Sequence, residues 1–548
     1  MAKGSILTIN ARLDKISSEP WVKRVVYASA ILFLLAFILI PPVLGITFKL
    51  GLVGQVLQEP GLMARAKLAI LWSFAIAFAV ASIDLLAGLP LAWFIARGNS
   101  RSVSVVDALV DIPFIIPTVA LGFSTLLFWS GSSGISGLFG TQVLSPGIFL
   151  VLLLHFAFSF PVIVRVMVGA FLSYDTIYET AAQTLGAKMF TIARTVTLPM
   201  LRPALVAAFL LAFARSLSET GATIMVAGAF ENGPVFIQNA KDAGLEGPMV
   251  LVSLTLIITS ISVFALIRVA GNRLRLPLRR AWPRIEGELS SRGSVRVRDY
   301  MTLVIFGLFV LLPSLFITLP AADALTDGTL MRALRGEGIW SSFWRSMMLS
   351  YGIGVVATLL NIIMGMPVAI LIARKKMGKT GTTILEAVVN VPIVVPSVAL
   401  GVSLALFWRT LGFLPEFWIL VLSHTTITYT YFVKAMAAAV EGIPEEMEET
   451  ARTLGSRPLN VFRSIVLPLT KYSVFSGAIL TFTRSVDETG AASAVSRELK
   501  TAPVLLVSWV KQAVPASPSD IALGIALLVL TSFASLLALR LLIYRRRR

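Results

Sequence analysis

The sequence predicts an all-α polytopic membrane protein of about twelve transmembrane helices, built as two parallel six-helix repeats around a pseudo-two-fold axis. Three observations predict it. Hydrophobic residues make up 56% of the 548-residue chain and charged residues 14%, with a mean hydropathy of +0.85. A soluble domain of this size needs a more polar surface than that. Apolar stretches of ~20 residues, long enough to cross a bilayer core as a helix, recur from end to end. The second half of the chain also repeats the first.

The expected spans of the first half are Val25–Gly45, Ala69–Ile95, Val105–Trp129, Gly147–Leu172, Pro203–Gly228 and Pro248–Ala270. Those of the second are Asp299–Leu319, Ser346–Ala373, Ile384–Trp408, Phe417–Val440, Tyr472–Val495 and Asp520–Tyr544. The first is long and lacks a small-residue cleavage site, which reads as an uncleaved helix rather than a signal peptide. The repeat is explicit. Gly88–Trp129 matches Gly365–Trp408, with Pro113, Pro117 and Gly122 returning as Pro392, Pro396 and Gly401. Glu179–Pro199 matches Glu449–Pro468, and Phe213–Ala222 matches Phe482–Ala491. Six spans per half is an even number, so both halves enter the membrane from the same side. The organisation is a first repeat at 1–270, a basic linker at 271–298 and a second repeat at 299–548.

The net charge of +18 is read as a topology signal. With a cytoplasmic N-terminus, most Lys and Arg fall inside, including Lys3, Arg12, Lys15, Lys23, Arg24, Arg97, Arg101, Arg374, Lys375, Lys376, Lys379 and Arg545–Arg548. So do the nine arginines of Arg268–Arg298. This is the positive-inside pattern of an inner-membrane protein with both termini cytoplasmic. The charge also favours anionic lipid heads; no nucleic-acid partner is implied. There is no cysteine, so no disulfide or thiolate metal site is available. The two histidines, His155 and His424, read as helix-to-helix hydrogen-bonding groups, and no metal site is expected.

Two polar loops follow the fourth and tenth spans. In the first, Glu179, Thr180, Ala181, Ala182 and Gly186 precede Pro199; in the second, Glu449, Thr450, Ala451 and Gly455 precede Pro468. Small residues leave one face of a short helix smooth, and a Gly ends it in left-handed geometry. The spacing resembles the EAA loop of ABC importer permeases, E-A-A-x3-G-x9-I-x-L-P. Glu179 stands one place before the motif's Glu, and Thr450 replaces its first Ala. The fused two-repeat format is similar to ferric-iron and thiamine importer permeases. Ala214–Thr223 and Thr483–Ala492 look more like sulfate and molybdate/tungstate permeases, with Thr220 and Thr489 in place of Phe, and Ser218 and Asp487 in place of the first Gly. The resemblance implies that each loop helix docks on one of two ABC ATPase subunits, which carry ATP and magnesium, while this chain holds no cofactor. It also implies an extracytoplasmic substrate-binding protein, alternating access, and a small solute, with an inorganic oxyanion or ferric iron favoured over thiamine.

Charges inside the membrane cost several kcal/mol unless they face protein or water. Arg215, Ser218, Glu219 and Gly221 in the fifth span, and Arg484, Asp487, Glu488 and Gly490 in the eleventh, are the candidate translocation-pathway residues. The i,i+4 spacing places each Arg and Glu on one helix face; the structural alternative is a self-neutralised ion pair. Asp84, matched by Asn361, reads as a polar helix contact. Ala373–Thr380 ends in Gly-Lys-Thr but has Ala373 where a P-loop needs Gly. No HExxH, GxSxG or other catalytic cluster occurs. A secondary transporter shares the twelve-span layout but leaves the paired loops unexplained.

Overall fold

A computed structural model of the chain describes residues 14–273 and 283–545. Lys3, Arg12, Arg546–Arg548 and the 274–282 part of the expected linker lie outside them. Every element among the described residues is helical. Seven helices are long and apolar enough to cross a membrane, and three further pairs pass the same test but bend sharply, which gives up to ten spans against the expected twelve. The two expected spans outside this count are still helical. Glu416–Glu441 buries Ser423, His424, Thr425, Thr426, Thr428 and Thr430, which lowers its apolarity. Arg292–Ile305 continues through a π turn to Leu315 but opens on charged residues.

The third and ninth expected spans are not single helices. Arg101–Ile115 and Thr118–Leu138 meet at 107°, and Gly378–Val394 and Ser397–Leu411 at 103°. The corners are Ile116-Pro117 and Val395-Pro396, where Ile116 and Val395 are extended. Proline drives the residue before it out of the helical region and supplies no N–H of its own. The third and ninth spans therefore make near-right-angle turns.

Proline shapes four other places. The π turns Leu34–Leu39, Ala193–Thr197, Phe306–Leu311 and Phe462–Val466 each end two residues before a proline: Pro41, Pro199, Pro313 and Pro468. Proline's ring clashes with the carbonyl four residues back. A widened turn moves that carbonyl aside and keeps the chain helical.

Each half is not self-contained. Pro60–Arg97, Ile148–Ser173 and Arg202–Ser218 pack together, as do Ile339–Ala373, Glu416–Glu441 and Leu467–Val486. The first span of the chain, however, lies on the second set: Ala30, Phe33, Leu34 and Ile38 are buried with Val433, Tyr429 and Met436. The helix that opens the second half lies on the first set, with Phe306 and Val310 buried among Phe160, Ile163 and Val164. Two serines bind these exchanged spans where the short helices Ile40–Leu44 and Leu312–Leu315 end. Ser124 Oγ donates to the Pro313 carbonyl (2.6 Å) and accepts from Ile317 N (2.9 Å). Ser403 Oγ donates to the Pro41 carbonyl and accepts from Ile46 N, both at 3.1 Å.

Candidate functional site

The two loop helices form as the spacing requires. Ile177–Thr184 ends at Gly186 (φ 82°), and Ala187 N donates back to the Ala182 carbonyl (3.0 Å). Glu445–Thr453 ends at Gly455 (φ 86°), with Ser456 N donating to the Ala451 carbonyl (2.9 Å). These left-handed caps satisfy the last carbonyls, and an L side chain there is strained. Directly after each π turn, Pro199 lies in the short helix Leu198–Met200 and Pro468 in the first turn of the long helix Leu467–Val486.

The structure shifts the motif's register. Glu179 and Glu448 are equivalent, both buried, while Glu449 faces solvent. Glu179 accepts from Arg97 (2.7 Å) and Thr197 (2.9 Å). Glu448 accepts from Arg374 (2.7 Å) and Arg452 (3.1 Å). The inner carboxylate thus locks the loop helix to the end of the second or eighth expected span. Thr180, Ala181, Glu449 and Thr450 stay exposed beside it, with Ala182 and Ala451 half-buried. At each helix end a leucine stands almost bare: Leu185 is 88% and Leu454 82% exposed. Sequence reading missed Arg97, Arg374, Glu448, Leu185 and Leu454. The signal was present, since a displacement of 269 residues pairs Glu179 with Glu448 and Leu185 with Leu454.

The linker and the N-terminal segment also brace these loops. Glu286, fully buried, accepts from Thr191 (2.6 Å) and Arg194 (2.7 Å), and Ser290 Oγ accepts from Phe190 N (3.0 Å). In the second loop Ser17 Oγ accepts from Leu459 N (3.3 Å). From residue 283 onward the expected linker is helical and packed.

The candidate pathway residues meet at the centre, but not on continuous helices. Arg202–Ser218 stops, and a short helix restarts at Gly221–Val226; Leu467–Val486 stops, and Gly490–Val495 follows. Glu219 and Glu488 sit in the breaks. Their carboxylates accept from Ala222 N (2.8 Å) and Ala491 N (3.0 Å), capping the short helices. The expectation that each Arg and Glu share a helix face holds for one half only. Arg484 pairs with Glu488 at 2.9 Å and reaches Asp487 at 4.0 Å. Arg215 makes no ion pair within 4.0 Å among the described residues. It donates to the Phe158 carbonyl (3.1 Å) and lies over the rings of Phe158 (3.8 Å) and Phe114 (5.0 Å). Both halves break at the equivalent point, so what differs is the partner: Arg215 is taken up by Phe158 and Phe114, Arg484 by Glu488.

The halves touch through these same segments. A Cβ on Gly221 would lie 2.6 Å from Thr489 Cβ, and one on Gly490 would lie 2.9 Å from Thr220 Oγ1. Asp487 Oδ1 accepts from Thr118 N (2.7 Å), at the start of the helix after the first right-angle turn. At the corresponding start after the second, Ser397 Oγ donates to the Ser218 carbonyl (3.3 Å). Nearby, His155 bridges Ser216 (2.8 Å) and Thr223 (2.9 Å), and His424 bonds Ser485. Ser159 bonds Asp84, and Asn361 bonds Thr428. Among the described residues no cluster of three or more His, Asp or Glu is placed to hold a metal.

The glycine contact gives a direct test. Gly221→Ala forces Cβ into Thr489, and overpacking of this kind costs about 1–3 kcal/mol. The chain has no native cysteine, so a thiol reagent reports on a single introduced Thr220→Cys. The expected result is faster labelling of Thr220→Cys when Gly221→Ala is present. Equal labelling in both backgrounds means that the centre does not depend on that contact.

The sequence profile of the family described as binding-protein-dependent transport system inner membrane component matches residues 88–276 and again 365–548, together more than half of the chain. Among curated relatives, a molybdate/tungstate transport system permease protein of Pyrococcus furiosus is 30% identical over 220 residues, covering 39% of this chain and 84% of that protein. A sulfate transport system permease protein of Salmonella typhimurium is 35% identical over 181 residues, 32% of this chain and 62% of that protein. A molybdenum transport system permease protein of Escherichia coli is 30% identical over 185 residues, 31% and 80% of the two chains. Each match covers about a third of this chain, within the length of one of its two repeats. The chain belongs to the binding-protein-dependent transport system inner membrane component family, and is thus a non-catalytic multi-pass permease subunit of an ABC transporter whose ATP is bound by a separate ATPase.

Proposed function

We propose that this chain is the complete translocation pathway of an importer for a small inorganic oxyanion, with both permease units in one polypeptide. The observation that carries the reading is the pair of loop helices. Each is locked to its span by a buried Glu–Arg pair and presents an exposed leucine and small residues outward. Two such helices suit two ATPase subunits, whose closure on ATP drives both loops as rigid bodies. In this reading the loops and both termini are cytoplasmic, the chain crosses twelve times, and the halves are related by a pseudo-two-fold axis through the Gly221–Thr489 and Gly490–Thr220 contacts. The units divide at 1–270, 271–298 and 299–548, although the first spans are exchanged between them. Arg215, Ser218, Glu219, Gly221, Arg484, Asp487, Glu488 and Gly490 form the central gate. A binding protein delivers substrate to the opposite face.

The printed substrates of the relatives, molybdate, tungstate and sulfate, favour an oxyanion over ferric iron or thiamine. The test is ATP-dependent uptake into proteoliposomes that hold this chain, its ATPase and its binding protein. The panel is sulfate, molybdate, tungstate, ferric citrate and thiamine. Uptake of an oxyanion supports the reading; uptake of thiamine or iron alone refutes it.

A further inference from the structure

The central gate is a poor place to attract an anion. Its two guanidiniums, Arg215 and Arg484, face three carboxylates, Glu219, Asp487 and Glu488, and Arg484 is already paired. If the substrate is an oxyanion, the attraction must be supplied elsewhere along its route.

A cavity of about 670 Å³ lies where the halves meet on the side opposite the loop helices. Its walls come from the segment before the sixth expected span, from the end of the helix Ser397–Leu411, and from the connection after the short helix Gly490–Val495. Five cations line it: Lys241, Arg409, Arg497, Lys500 and Lys511. Only two carboxylates do, and both are engaged. Asp242 accepts from Lys511 (3.2 Å) and Gln238 (2.7 Å), and Glu246 accepts from Lys49 (3.1 Å).

Three of the remaining four cations are held by neutral acceptors, Lys500 by Ser508 Oγ (3.5 Å). Lys241 donates to the carbonyls of Ser493 and Ser496, and Arg409 donates to that of Val495. These bonds fix the cations without cancelling their charge. The backbone that carries Arg497 is fixed as well, because Glu416 accepts from the N–H groups of Arg497 (2.6 Å), Glu498 (3.2 Å) and Leu499 (3.3 Å). One wall offers a free donor: Ser496 Oγ is buried without a hydrogen-bond partner. A surplus of fixed positive charge in a partly enclosed site, with an unsatisfied hydroxyl, suits a small tetrahedral dianion.

The cavity also sits over the gate. Its floor, Ser493, Ala494 and Ser496, belongs to the helix whose other end, Gly490, closes against Thr220. Among the described residues the first half does not repeat this site. In the first half the residue after the matched tryptophan is Ser130, not Arg409, and it donates to the Leu144 carbonyl. We infer that this cavity is a staging site for the transported oxyanion between its release by the binding protein and passage through the gate, a reading that rests on the oxyanion assignment above. An anion here competes with the carbonyls of Ser493, Val495 and Ser496 for Lys241 and Arg409, and so loosens the end of the helix that closes the gate.

The experiment uses the complex of this chain with its ATPase in phosphatidylcholine nanodiscs, without binding protein, and tungstate as probe. Equilibrium dialysis with elemental analysis gives bound tungstate. The expected result is saturable binding that weakens roughly tenfold in Arg497→Gln/Lys500→Gln, since two partly exposed charges each contribute modestly to an anion site. Burial holds Lys241 down to about 8, with Asp242 and Glu416 pushing it up and Arg409 and Arg497 pushing it down. Anion binding needs the charged form, so affinity also falls as pH rises from 7 to 9. Unchanged tungstate affinity in the double variant overturns the inference. So does displacement of tungstate by added phosphatidylglycerol at lipid ratios, which assigns the cations to a lipid headgroup. Loss of binding-protein docking with tungstate affinity intact also overturns it, since the cations are then a protein contact. If the double variant binds tungstate normally while the wild-type system imports molybdate, the staging site fails and the oxyanion reading stands. If no oxyanion is bound or imported, both fall.

Discussion

Replacing Leu185 and Leu454 together with Asp is expected to strip the ATPase from this chain and reduce uptake at least a hundredfold, while the chain still inserts and folds. Both leucines are bare in the isolated chain, so their loss removes little internal packing. In the proposed complex each serves as an apolar anchor at the tip of a loop helix. Full burial of a leucine contributes about 1.5–3 kcal/mol, and a carboxylate buried in its place adds an unpaired charge. Each 1.4 kcal/mol is tenfold in affinity. Co-purification of the tagged permease with its ATPase is the measurement. Single replacements should retain partial binding, because the remaining tip still holds. Retention of the ATPase by the double variant would move the docking surface away from the helix tips.

A second large effect is expected at Arg374. Its guanidinium is 5% exposed and bonds Glu448, itself 8% exposed, as well as the Ile443 carbonyl (2.9 Å). Arg374→Ala leaves a buried carboxylate held only by Arg452, which is 42% exposed. Breaking a buried pair in this way costs about 3–5 kcal/mol. Arg97→Ala in the first loop should cost less, because Arg97 is 27% exposed and water can reach the carboxylate it leaves. Thr197 also remains on Glu179. Thermal unfolding of both variants in detergent tests the ordering. Adding Glu448→Leu to Arg374→Ala should recover part of the loss, since no buried carboxylate is then left unpaired, while the volume vacated by Arg374 keeps its own cost.

The loops were legible because their chemistry is local. A Gly separated by nine residues from a hydrophobic-x-Leu-Pro run fixes a helix end whatever surrounds it, and Gly186 and Gly455 are left-handed as that spacing requires. The breaks at Glu219 and Glu488 were half legible. Gly221 and Gly490 suggested close approach, but hydropathy runs straight through Phe213–Val226 and hides the end of the helix. The exchange of first spans was not legible at all. Apolarity reports that Val25–Gly45 lies in lipid or protein, and says nothing about which half it touches. The serines that hold the exchanged spans, Ser124 and Ser403, look like ordinary small residues until their hydrogen bonds to the Pro313 and Pro41 carbonyls are seen. Glu448 was hidden because the motif's spacing singles out its exposed neighbour, Glu449.

Asp487 reaches across to the amide of Thr118, while its counterpart Ser218 offers only a carbonyl to Ser397. Had two identical subunits built this channel, any aspartate gained there would appear twice, and a second carboxylate would enter the crowded middle. Fusion lifts that constraint. Once both copies lie on one polypeptide they mutate separately, so a change tolerable on one side need not be tolerable on the other. Heredity, rather than chemistry alone, then permits a lopsided passage with a favoured wall.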